Sequence, residues 1–264
     1  MNIVVCVKYV PDATADRHFE DDHTVDRVGV DGLLSELDEY AVEQALQIKE
    51  KLGDAEVTVL TVGPDQATDA IRKALQMGAD RGVHVLDEAI AGSDALATSL
   101  VLAEAVKKIS ADPGYDLVVC GMASTDGSMG VVPAMLGERL GVPAVTLGSE
   151  VEVDGDTVRI RRDGDVATET VEGTLPLVLS VTDQSGEARY PSFKGIMAAK
   201  KKPVERWSLA DLGVEPAKVG LSTAYSVVES TEARPPRTAG QIVTDEDGSG
   251  AAALVEFLAS KKFI

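Results

Sequence analysis

The chain has 264 residues, 44% of them hydrophobic and 26% charged, and carries a formal net charge of −19. That length and apolar content supply a full core and exclude a disordered chain, with one large domain, or a domain plus an appendage, as the starting expectation. The acidity argues against nucleic acid or an anionic membrane as partner, because the general field repels phosphates and any phosphate must be held locally; since acidic surfaces also serve solubility, the charge names no ligand.

In chain order, Ile3 to Val7 reads as a first strand. After an irregular acidic excursion through His18 and Asp31, Ser35-Glu36-Leu37-Asp38 resembles a capping box opening a helix with an apolar stripe at Ala41, Val42, Ala45, Leu46 and Leu52. Val57 to Val62 is the next strand, broken by Gly63-Pro64, and an amphipathic helix through Ala67, Ala70, Ile71, Ala74 and Leu75 closes at Gly78. Gly82 to Leu86 forms a third strand, followed by a helix through Ala97, Leu100, Val101 and Ala105, and Leu117 to Cys120 forms a fourth. Gly121 to Gly130 is a glycine-rich loop leading into a helix from Val132 to Leu140. This alternation predicts a three-layer α/β/α architecture around a mostly parallel, doubly wound sheet.

From Val151 the rhythm changes to short strands at Val151–Val153, Thr157–Arg161, Ala167–Val171 and Leu177–Val181, with turns at Asp154-Gly155 and Asp163-Gly164. The pattern predicts a later antiparallel section. Arg234-Pro235-Pro236-Arg237 marks a linker, and a helix at Ala251 to Phe257 belongs to a C-terminal arm with too few apolar residues to form its own core. The expected boundaries are 1–233 for the α/β body and 234–264 for the arm.

Ligands of open α/β sheets lie at the carboxyl ends of strands, where the Gly121–Gly130 loop falls. Amides freed by Gly127 and Gly130, with the positive end of the following helix, suit a phosphate, while Asp126 suits bonds to loop amides. The same glycines also suit a plain tight turn. Neither GxGxxG nor GxxxxGK[ST] occurs, and no GxSxG elbow or Ser/His/Asp set can be placed. Cys6 and Cys120 each end an apolar run, outside any CxxC pair, and read as buried free thiols; His18, His23 and His84 lack metal spacing. No catalytic residue and no metal are expected, so any chemistry comes from a cofactor. The opening is too short for a signal peptide, and no apolar run approaches the roughly 20 residues of a membrane span. A cytoplasmic protein without membrane insertion is expected.

The tract from Gly186 to Lys202 joins a Pro/Gly-punctuated loop, apolar residues and the run Lys200-Lys201-Lys202 in an acidic chain. It reads either as a docking loop with an aromatic anchor and steering lysines or as an ordinary loop entering a solvated basic helix.

Val5-Cys6-Val7-Lys8, Ala41 to Ala45, Ala70 to Val85, and above all Glu187 to Lys202 resemble the β subunit of electron transfer flavoprotein over nearly the whole chain, as does the tail Pro235 to Gly240. The resemblance implies a Rossmann-like, adenine-nucleotide-binding sheet, an α subunit that carries most of the FAD site, and a structural AMP in this chain. It places the nucleotide among Cys6, Ser35, Glu36, Leu37, Asp38, Val62, Gly121, Ala123, Ser124, Thr125, Asp126, Gly127, Ser128, Met129 and Gly130. It implies a recognition loop at about 183–202 for acyl-CoA dehydrogenases of fatty acid β-oxidation and related donors. Docking residues are then Arg189, Tyr190, Phe193, Ile196, Met197, Lys200 and Lys201, with Phe193 as anchor and Ile196 and Met197 packing the helix onto the body. Electrons would pass to a membrane-associated quinone oxidoreductase, and the arm would pack on the partner subunit. The loop departs from the longer Asp- and Gln-rich version of many simple carriers, leaving open the alternative that a second FAD replaces AMP in an electron-bifurcating, NADH-oxidising relative. A third reading, a stand-alone nucleotide sensor or adenylating enzyme, lacks an SGGxDS-like loop.

Overall fold

A computed structural model of the chain describes residues 1–15, 17–111, 114–232, 235, 240, 242–245 and 248–264. They divide into two units, Met1–Glu229 and Ser230–Ile264.

In the first unit, β1 (Asn2–Cys6), β4 (Glu56–Val62), β5 (Arg81–Val85), β6 (Leu117–Gly121), β7 (Ala144–Gly148), β11 (Leu177–Val181) and β12 (Val204–Trp207) form one sheet in the order β12-β5-β4-β1-β6-β11-β7. Every pairing in it is parallel. Side-chain alternation splits the core in two. Ile3, Val5, Val57, Val59, Leu117 and Val119 face α1 (Glu36–Leu52) and α2 (Thr68–Met77); Val4, Cys6, Leu60, Val118 and Cys120 face α3 (Ala95–Ile109) and α4 (Val132–Leu140). Helices on both faces make the sheet doubly wound, as the sequence predicts. The chain winds outward from β1 through β4 to β5, then crosses back to β6 on the other side of β1. The strand order therefore reverses between β1 and β6.

A separate antiparallel sheet comprises β8 (Glu150–Asp154), β9 (Thr157–Asp163) and β10 (Thr168–Thr174), and a short hairpin pairs β2 (Tyr9–Pro11) with β3 (Gly32–Leu34). Val153, Val158 and Ile160 of the antiparallel sheet join the α1/α2 side of the core. Leu177–Val181 does not belong to this antiparallel section. It is a central parallel strand, buried throughout and paired with β6 and β7, as its uninterrupted apolar run requires. Beyond it lie α5 (Phe193–Ala199) and α6 (Leu209–Leu212).

In the second unit, α7 (Gly250–Ser260) extends the predicted helix by a few residues, and Leu254, Val255, Phe257, Phe263 and Ile264 are all exposed. Of the tail from Pro235 to Gly240, residues 236–239 lie outside the described residues, as does Arg234 of the linker. No helix among the described residues is long and apolar enough to cross a membrane.

Candidate functional site

The reversal of strand order sets the site. Where neighbouring connections leave a parallel sheet on opposite faces, a crevice opens at the carboxyl ends of the two strands. Here β1 ends at Cys6 and β6 at Gly121, with Cys6 paired directly to Cys120. Both cysteines are free and buried. The Cys6 thiol and then burial push the Cys120 thiol well above its ordinary value, leaving it protonated and unreactive. Val62 ends β4, the next strand along.

The start of α1 closes over this end. Ser35 is fully buried and is not a capping box: its hydroxyl makes no bond to its own helix and accepts instead from the Thr125 amide at 3.4 Å. Asp38, 7% exposed, reaches under the crevice, where its carboxylate accepts the Lys8 amide at 2.8 Å and the Gly121 amide. Burial pushes the Asp38 carboxyl up to about 7, against these bonds and the Lys8 ammonium. Gly121 is required by this approach, because a Cβ there would lie 2.7 Å from the Leu37 carbonyl oxygen. Glu36 points to solvent.

The Gly121–Gly130 loop folds on itself, with the Ser128 amide donating to the Ser124 carbonyl at 3.0 Å. Ser128 takes a left-handed φ of 51° and Gly130 one of 65°, a strained placement for a serine of the kind found at binding loops. Among the described residues, the amides of Ala123, Ser124, Asp126, Met129 and Gly130 donate to no protein acceptor. They precede the N-terminus of α4. Asp126 is the loop's internal tie: its side chain is 2% exposed and accepts its neighbour's amide, that of Gly127, at 2.6 Å. It also binds Lys8 Nζ at 2.9 Å and Arg27 Nη2 at 2.5 Å. Burial alone would raise this carboxyl, but Lys8, Ser124 and Arg27 hold it well below the usual carboxylate range. Arg17 Nη2 donates to the Thr125 carbonyl at 2.7 Å.

The structure thus brings Cys6, Ser35, Leu37, Asp38 and the loop from Gly121 to Gly130 to one end of the sheet, with Val62 one strand away. Sequence reasoning missed Lys8, Arg17 and Arg27, whose side chains reach the loop from β1's exit and the acidic excursion. The only signal for Arg17 and Arg27 was basic residues in an acidic stretch, and that for Lys8 was its place in the Val5-Cys6-Val7-Lys8 motif. Unpaired amides, a helix N-terminus and a locally basic cluster fit a nucleotide phosphate. The surface cavity lined by Met1, Asn2, Asp54, Glu56 and Asp80 lies at the opposite, amino ends of the strands. No cluster of His, Cys, Asp or Glu among the described residues has the geometry of a metal site.

The basic tract forms a second surface. Arg189 binds Glu43 at 2.7 Å through Nε and Glu50 at 2.5 Å through Nη1, so its guanidinium ties the loop to α1. Gln44 Nε2 adds a bond to the Ser185 carbonyl at 2.6 Å. Ser192 caps α5 by accepting from the Gly195 amide, and Gly195 lets α5 approach α2, since a Cβ there would meet the Gln76 carbonyl at 2.4 Å. Tyr190 and Phe193 are 92% and 81% exposed. Ile196 and Met197 are exposed too rather than packed into the body, and Lys200 and Lys201 face solvent.

Comparison with known proteins gives the family of this arrangement. The model of the electron transfer flavoprotein domain matches residues 22–212. The electron transfer flavoprotein subunit beta of Mycobacterium tuberculosis is 47% identical over 268 residues, covering 100% of this chain and 99% of that one. The protein of the same name from Megasphaera elsdenii is 33% identical with both chains fully covered. The caffeyl-CoA reductase-Etf complex subunit CarD of Acetobacterium woodii is 33% identical over 92% of each chain. With a domain match over most of its length and full-length similarity to named β subunits, the chain belongs to the electron transfer flavoprotein family, as a β subunit.

Proposed function

We propose that the chain pairs with an electron transfer flavoprotein α subunit, holds a structural AMP at the carboxyl ends of β4, β1 and β6, and docks the dehydrogenase that supplies electrons. The observation that carries this reading is the set of unpaired amides in the Gly121–Gly130 loop, which leaves β6 at the strand-order reversal beside the start of α1. FAD, held mostly by the α subunit, supplies the redox chemistry. This chain's residues bind and dock. Loop amides and the α4 N-terminus hold the phosphate, while Cys6, Ser35, Leu37, Asp38 and Val62 line the floor.

The donors are acyl-CoA dehydrogenases and related flavin dehydrogenases, and the acceptor is a membrane-associated quinone oxidoreductase. Phe193 is the docking anchor, exposed on the first turn of α5 just past the loop that Arg189 fixes to α1. Tyr190, Ile196 and Met197 extend its apolar surface, and Lys200 and Lys201 steer an acidic partner. An exposed apolar patch of this kind suits brief, rapid docking. The arm's exposed apolar residues fit a surface of the α subunit.

A second reading, an electron-bifurcating complex with a second FAD in place of AMP, is favoured by the similarity to CarD. Anaerobic mixing of the co-purified complex with NADH, or with an acyl-CoA dehydrogenase and its substrate, separates the two through the flavin absorbance. The carrier is reduced by the dehydrogenase and not by NADH. Rapid reduction by NADH supports the second reading and overturns the first.

A further inference from the structure

The loop that carries the unpaired amides does not hold its own shape. Its only internal backbone bond joins Ser128 to Ser124, and Ser128 sits in a left-handed conformation. What fixes it is Asp126, buried among groups far away in sequence. Lys8 lies 118 residues distant and Arg27 99 residues distant, and both meet the carboxylate; Arg17 holds the adjoining Thr125 carbonyl from outside. The same carboxylate accepts the Gly127 amide, so its position sets the turn directly.

The charge balance is informative. A bare carboxylate inside a phosphate loop repels the ligand, whereas Asp126 with Lys8 and Arg27 is a net cation, and Arg17 adds another positive charge. In a chain of net charge −19 this is a local reversal of sign. We infer that Lys8 and Arg27 are positioning residues for the phosphate loop, acting through Asp126 to hold its amides toward the nucleotide, with Arg17 bracing the outer side. This rests on the nucleotide reading above, and it gives the excursion between β2 and β3 a purpose: it delivers Arg17 and Arg27 to the loop.

The sign of one effect separates positioning from direct contact. If Lys8 and Arg27 simply attract phosphate, Asp126 opposes them, and Asp126→Asn tightens AMP binding. If they act through Asp126, the same variant loosens the loop and weakens binding although it removes a negative charge. The test is calorimetric titration of AMP into the nucleotide-stripped α/β complex, with melting temperature recorded in parallel. Asp126→Asn, Lys8→Met and Arg27→Gln are each expected to weaken AMP binding by about tenfold or more, the range of a lost charge-assisted hydrogen bond. Lys8→Arg, which keeps a cation on Asp126, is expected to restore most of the affinity. Lys8 is a partly exposed side chain, so its variants test the idea in a folded complex even if Asp126→Asn does not assemble. Tighter binding by Asp126→Asn, or unchanged binding by Lys8→Met and Arg27→Gln, overturns the inference while leaving the nucleotide site in place. A wild-type complex that takes up no AMP overturns the nucleotide reading itself, and the inference with it.

Discussion

Gly121 joins the packing of the sheet to the proposed nucleotide site, and Gly121→Ala tests both at once. A Cβ at this position lies 2.6 Å from Asp38 Oδ1, 2.7 Å from the Leu37 carbonyl oxygen and 2.9 Å from the Leu37 carbonyl carbon. Two of these atoms are backbone at the start of α1, and Gly121 itself is fixed by pairing with Val181. Neither side yields without moving the helix. Overpacking of this kind costs about 1–3 kcal/mol. At about 2–4 °C per kcal/mol for a domain of this size, the melting temperature falls by about 2–12 °C. The displaced Asp38 also loses its grip on the Lys8 and Gly121 amides, which favours the upper half of that range. Because the same displacement separates Ser35 from the Thr125 amide, bound nucleotide falls in parallel. Gly127→Ala is the matched control: its Cβ meets only Ser124 Oγ at 3.6 Å, an ordinary contact. That substitution leaves the melting temperature within about 2 °C. Thermal melts and nucleotide content after gel filtration of the co-expressed complex read both quantities. Wild-type values for Gly121→Ala, or a larger loss in Gly127→Ala, refute the packing argument.

Phe193→Ala leaves stability within about 0.5 kcal/mol, because the ring is exposed, yet slows flavin reduction at low donor concentration by about 10–150-fold if the ring fills a pocket on the donor; stopped-flow kinetics across donor concentrations check this, and unchanged rates remove Phe193 as the anchor. Arg189→Gln strands the nearly buried Glu43 carboxylate and costs about 1–3 kcal/mol, given that Arg189 is itself one-third exposed. Hydrogen exchange at residues 183–192 should quicken, and unaltered protection contradicts the role of Arg189 as a staple. Asp38 has a folded pKa of about 7, above its unfolded value of about 3.9. The stability it contributes is therefore complete below that unfolded value and lost as the pH rises through 7. Asp126, shifted the other way, contributes stability above about pH 4 that is lost on acidification. Carbon-13 titration of the aspartate carboxyls should find Asp38 with a midpoint near neutrality, and a midpoint in the ordinary carboxylate range shows that the backbone bonds outweigh burial.

Much of this arrangement was legible in the sequence because it is written locally. The β-branched runs at β1, β4, β5 and β6 alternate with helical stripes, and the glycine-rich loop follows the last of them, so the site could be placed at one end of a parallel sheet. What escaped depends on distant partners. Val204–Trp207 is a polar edge strand recognisable only by its pairing with β5, and Ala144–Gly148 is a half-exposed one at the other edge. Leu177–Val181 read as a hairpin strand because hairpins precede it, although a fully apolar five-residue run is what a central parallel strand needs. Ser35 carries the local signature of a helix cap, but its hydroxyl is taken by Thr125, 90 residues on. Arg17 and Arg27 had no periodicity or motif to mark them, and Lys8 lay in a family motif that does not name its partner, since the meaning of all three comes from Asp126 and Thr125, about a hundred residues downstream.

The proposed function requires that this β subunit hold an adenine nucleotide at the carboxyl ends of its strands while its partner supplies most of the flavin site. The most direct test is to co-express the chain with its α subunit, denature the purified complex, and identify the released nucleotides by chromatography and mass. One FAD and one AMP per heterodimer are expected. Two FAD and no AMP contradict the carrier reading in favour of the bifurcating one, and a well-formed complex that releases no FAD contradicts the electron-transfer assignment altogether.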